Sequence, residues 1–218
     1  MQLTKLTHSC VRVDTGAGVL VIDPGVYSEA AEALDGADAC LVTHVHPDHL
    51  DVAAVQDALG RRRELRVWAP RSALDALRDG LSATADDRLI AVGPDEELDV
   101  LGMPVRTYGG QHALIHSSVP VVTNIGYLIG ERLYHPGDSF AVPPVAVDTL
   151  LVPTHAPWSK VGEVLDFLIA VRPRRSFQVH DALLNEVGTG VTETHVARTA
   201  KRYGSSFEHL PKGESREL

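Results

Sequence analysis

The sequence predicts an α/β fold in which mixed β-sheets are flanked by helices. Three observations carry that prediction. Short apolar runs of strand character alternate with stretches of helical period, and the progression from strand-rich to mixed occurs twice along the chain. A length of 218 residues, 44% of them hydrophobic and 22% charged, is enough to bury one good-sized core. No internal repeat or low-complexity linker interrupts it, so one domain over residues 1–218 is expected.

The elements follow in order. Leu3–Leu6, Val11–Asp14 and Val19–Ile22 read as strands, with Gly16-Ala17-Gly18 as the turn between the last two. A helical stretch over Ser28–Leu34 leads into a strand at Ala39–Val42. Helix Leu50–Leu59, strand Arg66–Ala69 and helix Arg71–Arg78 come next, the last stopped by Gly80. Strands are then expected near Leu89–Val92, Glu97–Val100 and Val105–Tyr108. In the second half, Val122–Ile129 and Arg132–Tyr134 flank a hairpin turn at Gly130-Glu131. Strand Thr149–Val152, helix Lys160–Val171, strand Ser176–Val179 and helix Glu193–Tyr203 complete the set, before a polar end from Lys212.

The chemistry lies in Thr43-His44-Val45-His46-Pro47-Asp48-His49-Leu50-Asp51, which crowds three imidazoles and two carboxylates onto one strand end. Such a cluster is costly to desolvate unless a cation organises it. Imidazole and carboxylate suit zinc, manganese and iron alike. If the strand runs to Val42, His44 and His46 continue it at period two and face one side, and Pro47 keeps His46 extended. Asp48 and His49 follow the bend and aim elsewhere. One loop thereby offers ligands to two neighbouring positions.

The motif His44-Val45-His46-Pro47-Asp48-His49 resembles the signature of the metallo-β-lactamase superfamily. Four further segments resemble that family's, in its order: Leu20–Gly25, the strand and acidic turn before the metal loop; Gly109-Gly110-Gln111-His112; Tyr134–Ser139, with its Gly-Asp pair; and Phe177–Asp181. The resemblance is nearest to the cytosolic branch that includes ascorbate-6-phosphate lactonase-like proteins. It implies a four-layer αββα sandwich with metals at the sheet edges. It also implies a ligand set: His44, His46 and His112 on one ion, Asp48, His49 and His180 on a second, and Asp138 shared. Two divalent ions are expected, zinc foremost, with manganese or iron as alternatives.

The other candidates are weighed individually. His116 rivals His112, which is favoured because it lies nearer the strand end and follows a Gly-Gly bend. His8 either lies near the site or is a satisfied core histidine, and His135 is expected to support the site. Asp23 is expected to fix the metal loop by accepting an imidazole N–H, and Asp181 could orient His180. His155, Trp158 and Lys160 lie on one loop and could line the pocket, although Trp158 could equally cap the core. His195 and His209 are expected to be structural or exposed.

A formal net charge of −9 disfavours nucleic-acid and anionic-membrane partners. Arg61-Arg62-Arg63 and Arg172, Arg174 and Arg175 read as solvated surface clusters. Cys10 and Cys40 read as buried thiols. With no apolar leader and no bilayer-length run, the cytoplasm is the expected compartment. What the resemblance implies is a metal-dependent hydrolase, in which hydroxide held between the metals attacks a small ester, lactone or phosphoester and Asp48 handles the proton. The alternatives are an iron-dependent oxidoreductase of the same fold and a non-catalytic metal-binding module.

Overall fold

A computed structural model describes residues 1–81 and 83–218. Its described residues form two seven-stranded sheets. In the first, β1 (Gln2–Lys5), β2 (Val11–Asp14) and β3 (Val19–Ile22) make an antiparallel meander. The parallel strands β4 (Ala39–Leu41), β5 (Arg66–Ala69) and β6 (Leu89–Ala91) extend it, with α1 (Ala30–Leu34), α2 (Val52–Arg61) and α3 (Arg71–Arg78) in the crossovers. The second sheet repeats the plan. β7 (Glu97–Val100), β8 (Met103–Gly109), β9 (Ile125–Ile129) and β10 (Leu133–His135) run antiparallel. Then β11 (Thr149–Pro153), β12 (Arg175–Val179) and β13 (Ser206–Glu208) run parallel, with α4 (Val161–Val171) and α5 (Glu186–Arg202) between them. The last strand, β14 (Ser215–Glu217), returns to the first sheet and pairs with β1.

Strand alternation sorts the core into three layers of side chains. Leu20 and Ile22 of β3 face the second sheet and pack in one cluster with Tyr127, Ile129 and Phe177. Val21, between them, turns to the opposite face and joins Cys40, Val67 and the helical residues Leu34, Leu59 and Leu74. On the outer face of the second sheet, Leu128, Leu150 and Val152 pack against Val164, Phe167 and Val196. Helix, sheet, sheet, helix is therefore the layer order, the αββα sandwich of the metallo-β-lactamase fold.

Several boundaries depart from the sequence reading. Helix α2 starts at Val52, capped by Asp51, whose side chain accepts the Ala54 N–H at 3.0 Å. Asp48 and His49 lie in the turn before it, and Leu50 and Asp51, the first residues expected to be helical, precede it as well. Helix α5 starts at Glu186, not Glu193, because the Asn185 side chain caps it by accepting the Gly188 N–H. The polar end is partly strand β14, and β13 was not expected at all. The strand expected from Val122 starts only at Ile125, although Gly110 and His112 donate to the carbonyls of Asn124 and Val122. Cys10 and Cys40 are buried free thiols, with burial pushing the Cys10 thiol up to about 12.

The sheets are stitched together where the metal loop leaves β4. Ile125 N–H donates to the Thr43 carbonyl at 2.9 Å, and the Tyr127 hydroxyl donates to the Val42 carbonyl at 2.9 Å. That seam positions the site.

Candidate metal centre

The loop after β4 is held by Asp23, at the end of β3. Its carboxylate accepts the Thr43 backbone N–H and the Thr43 hydroxyl, each at 2.7 Å, and His49 Nδ1 lies 2.6 Å away. The loop after β3 packs closely on the metal loop, since a Cβ at Gly25 would collide with the Asp48 carbonyl. Gly137 plays the same part on the second sheet, where a Cβ would strike Asn124 and Thr43. Asn124 in turn accepts the Asp138 N–H at 2.9 Å and donates to the Pro136 carbonyl.

Two groups of ligand-type side chains result, the atoms of each lying within 4.8 Å of one another: His44, His46, His112 and Asp138, and beside them His8, Asp48, His49 and His180. Hydrogen bonds on the far ring nitrogens set the tautomers. The Thr43 hydroxyl is spent as a donor to Asp23, so at 3.0 Å it accepts from His44 Nδ1. His49 Nδ1 donates to Asp23, His112 Nδ1 to the Ala113 carbonyl at 2.6 Å, and His180 Nδ1 to the His155 carbonyl at 2.7 Å. In each of these four rings, Nε2 is left facing the site with its lone pair available to a cation. His8 has the reverse arrangement. Its Nδ1 accepts the Ala182 N–H at 3.3 Å, so Nε2 carries a proton and donates it to Asp48 at 3.1 Å.

Asp138 joins the groups. Its Oδ1 lies 3.0 Å from His49 Nε2, and its Oδ2 lies 3.3 Å from His112 Nε2 and 3.1 Å from His180 Nε2. Burial disfavours its charge, yet the His49 charge and the surrounding imidazoles outweigh that and hold its carboxyl well below the usual range. Burial likewise pulls His49 down, but Asp138 and Asp23 push it well above an ordinary histidine. His44 goes the other way, held far below its ordinary value by burial and then by neighbouring His49.

A cation fits this arrangement. Buried atoms lacking a hydrogen-bond partner include His49 Nε2, His112 Nε2 and Asp138 Oδ1, all of which converge on the two groups. Orphaned buried polar atoms cost about 1–3 kcal/mol each, a cost that coordination would remove. Imidazole nitrogen and carboxylate oxygen are a donor set for first-row divalent ions.

All seven residues expected as ligands come together here, and His112 rather than His116 does so, since His116 is exposed and bonds Ser118. His135 supports the site as expected: its Nδ1 accepts the Gly137 N–H and its Nε2 donates to the Ser9 carbonyl. His195 and His209 are exposed. Asp181 does not orient an imidazole; it pairs with buried Lys5 at 3.3 Å, because His180 Nδ1 is already taken by a carbonyl. His155 contributes through that carbonyl, and Lys160 points to solvent. Trp158 is half-buried and donates its indole N–H to Asp138 Oδ2 at 2.8 Å.

Sequence reasoning gave too little weight to His8 and missed Lys5. The Lys5 ammonium donates to the carbonyls of Leu6 and His8, and His180 N–H donates to the same His8 carbonyl. His8, Asp23 and His180 all have positive φ, at 62°, 50° and 57°, a conformation that costs a residue with a side chain about 1–3 kcal/mol and gathers at functional sites. No local pattern announces those angles, although Lys5 inside an apolar alternation was a signal of a buried charge with partners.

Comparison with known proteins agrees with the geometry. The sequence pattern of the family described as "Beta-lactamase superfamily domain" matches residues 2–180. Protein Rv0786c of Mycobacterium tuberculosis is 36% identical over 218 residues, covering 97% of each chain. A UPF0173 metal-dependent hydrolase of Aeropyrum pernix is 28% identical over 152 residues, 63% of this chain and 61% of that protein. Among solved structures, Igni18, a metallo hydrolase from Ignicoccus hospitalis, superposes with a TM-score of 0.73 at 17% identity, over 100% of this chain and 98% of that one. At that identity the likeness speaks for the fold alone.

Proposed function

This chain belongs to the β-lactamase superfamily, and on that premise we infer that it is a metal-dependent hydrolase acting on a small ester, lactone or phosphoester. One observation carries the reading: Asp138 reaches both ligand groups, with Oδ2 beside His112 of one and His180 of the other and Oδ1 beside His49, so that the groups work as one centre.

His44, His46 and His112 would hold one ion and Asp48, His49 and His180 the other, with Asp138 shared. Divalent ions bound there would supply a water whose pKa falls toward about 7 and an electrophilic pull on the oxygen under attack, with zinc, manganese and iron all suited to the donors. Asp48 would receive the water's proton. Its side chain is partly open to solvent, whereas that of Asp138 is buried among imidazoles. His8 orients Asp48 by donating to one of its oxygens, which leaves the other for the proton. Trp158 and Asn124 fix Asp138 from the side chain and the backbone respectively. The buried thiols of Cys10 and Cys40 take no part, because a metal hydrolase needs no protein nucleophile.

Elemental analysis per chain, paired with turnover of activated esters and phosphodiesters, tests this reading. Close to two equivalents of metal are expected, and His46→Ala and Asp138→Ala should each lower bound metal and abolish hydrolysis. Full occupancy with unchanged turnover in either variant would overturn it.

A further inference from the structure

The loops that carry the ligand residues share a composition that the ligands do not explain. They comprise residues 6–10, 23–29, 42–51, 110–124, 136–148, 154–160 and 180–185, and Lys160 is the one lysine or arginine among them. Two further lysines approach and are spent: Lys5 is buried against carbonyls and Asp181, and Lys212 pairs with Glu29. Phosphate and carboxylate groups are ordinarily gripped by arginine or lysine, and here such a group would meet the metal centre with solvent-facing Lys160 as the one loop cation.

The same loops expose apolar side chains beside the ligands. Leu114 is 62% exposed, Val26 50%, Tyr27 49%, Leu183 49% and Val142 47%. Single exposed apolar residues are ordinary on a protein surface, but Val26, Tyr27, Leu114 and Leu183 are tied to the centre by their own or the adjacent residue's backbone or by a ring. The Tyr27 ring lies 5.4 Å from that of His8, and Val26 N–H donates to the Pro47 carbonyl at 2.8 Å. Leu114 follows Ala113, whose N–H donates to the Asp138 carbonyl at 2.8 Å, and Leu183 follows Ala182, which donates to His8. Val142 lies two residues beyond Phe140, whose ring is 5.1 Å from that of Trp158. A polar centre within an apolar surround, whose one loop cation, Lys160, faces solvent, is complementary to an uncharged electrophile on an apolar chain.

Resting on the hydrolase reading, we propose that the substrate is a neutral ester or lactone carrying an apolar chain, and that the chain lies on Val26, Tyr27, Leu114, Val142 and Leu183 while the carbonyl meets the metal centre. A phosphorylated lactone, of the kind handled by the branch the sequence resembles, would ask for more cations than the solvent-facing Lys160 of these loops. Each buried methylene is worth about 0.8 kcal/mol, roughly fourfold in affinity, so chain length is the variable to test.

The metal-loaded protein should be assayed on p-nitrophenyl acetate, butyrate and octanoate and on bis-p-nitrophenyl phosphate. Binding of octanoate and acetate to the metal-free protein should be followed in parallel by Trp158 fluorescence. We expect kcat/KM to rise at least tenfold from acetate to octanoate, octanoate to bind at least tenfold more tightly than acetate, and Leu114→Ser and Val142→Ser to shrink both ratios. A flat chain-length series, or preference for the phosphodiester, overturns this proposal while leaving the hydrolase reading standing. So does a dimer that Leu114→Ser converts to monomer, because a second copy would then cover the surface. No turnover of any substrate with metal bound overturns the hydrolase reading, and this one with it.

Discussion

Trp158 donates its indole N–H to Oδ2 of Asp138 across 2.8 Å, the same oxygen that lies 3.1 Å from His180 Nε2. The indole therefore restricts the one carboxylate that reaches both ligand groups, from a loop that carries none of the ligand side chains. Replacing Trp158 with Phe keeps the packing on Phe140 and removes the donor. Partners of metal ligands are worth about 10–100-fold in affinity or activity, so the variant should bind metal roughly tenfold more weakly in a chelator competition, with a small change in melting temperature. Unchanged metal affinity would reduce Trp158 to a packing residue.

Asp23 orients His49 and also accepts the Thr43 N–H. Asp23→Ala should cost about 1–3 kcal/mol in urea unfolding, because buried donors lose their acceptor. It should weaken metal binding by about 10–100-fold as well, because His49 loses its fixed tautomer. Loss of stability with normal metal affinity would separate the two roles.

Lys5→Met tests the support beneath His8. Lys5 is buried, and burial pulls its pKa down against the raising effect of Asp181. Removing one partner of a buried pair costs about 3–5 kcal/mol. Asp181 is partly exposed, so a loss nearer 2 kcal/mol is expected here. Because Lys5 also holds the His8 carbonyl, turnover should fall with metal content unchanged, and matched losses of metal and turnover would contradict that role.

The metal-free protein should lose stability as the solution turns alkaline. Burial lowers His180, but its hydrogen bonds to Asp138 and Asp48 prevail and push it up to about 9; His49 is raised as well. A histidine raised above its unfolded value of about 6.5 lends its stabilisation in full below that pH and loses it as pH climbs through the folded value. Asp48 and Asp138 are held down, so their contribution is present above about 4 and fades only in stronger acid. Melting temperature in the presence of chelator should therefore fall between about pH 6.5 and 9. Stoichiometric metal should flatten that slope, since coordination takes the place of the protons. A metal-free melting temperature that rises over the interval would refute the account.

Much of this was legible in the chain. The bounds of β2, β3, β5, β7 and α3 match the sequence reading because apolar period and turn residues agree there. What stayed hidden depends on partners distant in sequence. The segment Glu186–Thr192 contains two glycines and β-branched residues, poor helix formers that are held helical by the Asn185 cap and the packing of Val196 and Ala200. β13 and β14 are short, polar edge strands without an apolar alternation to reveal them. At the site, each ligand belongs to a motif readable from its neighbours, but His8 acquires its role from Asp48 and Ala182, far along the chain.

The ligands are divided unevenly between the two sheets. His44, His46, Asp48 and His49 come from the half that builds the first sheet, and His112, Asp138 and His180 from the half that builds the second. A cation held by all of them would act as a reversible cross-link, fastening one half of the sandwich to the other much as a disulfide would, yet releasable by a chelator. Binding energy at such a joint is shared by both halves, so saturating metal at a hundred times its Kd would add about 2.7 kcal/mol to the whole molecule. Chelation should then loosen β4 and β12 together, and amide exchange at their metal-side ends should accelerate in step. The centre would be a hinge pin for the fold as well as its place of chemistry.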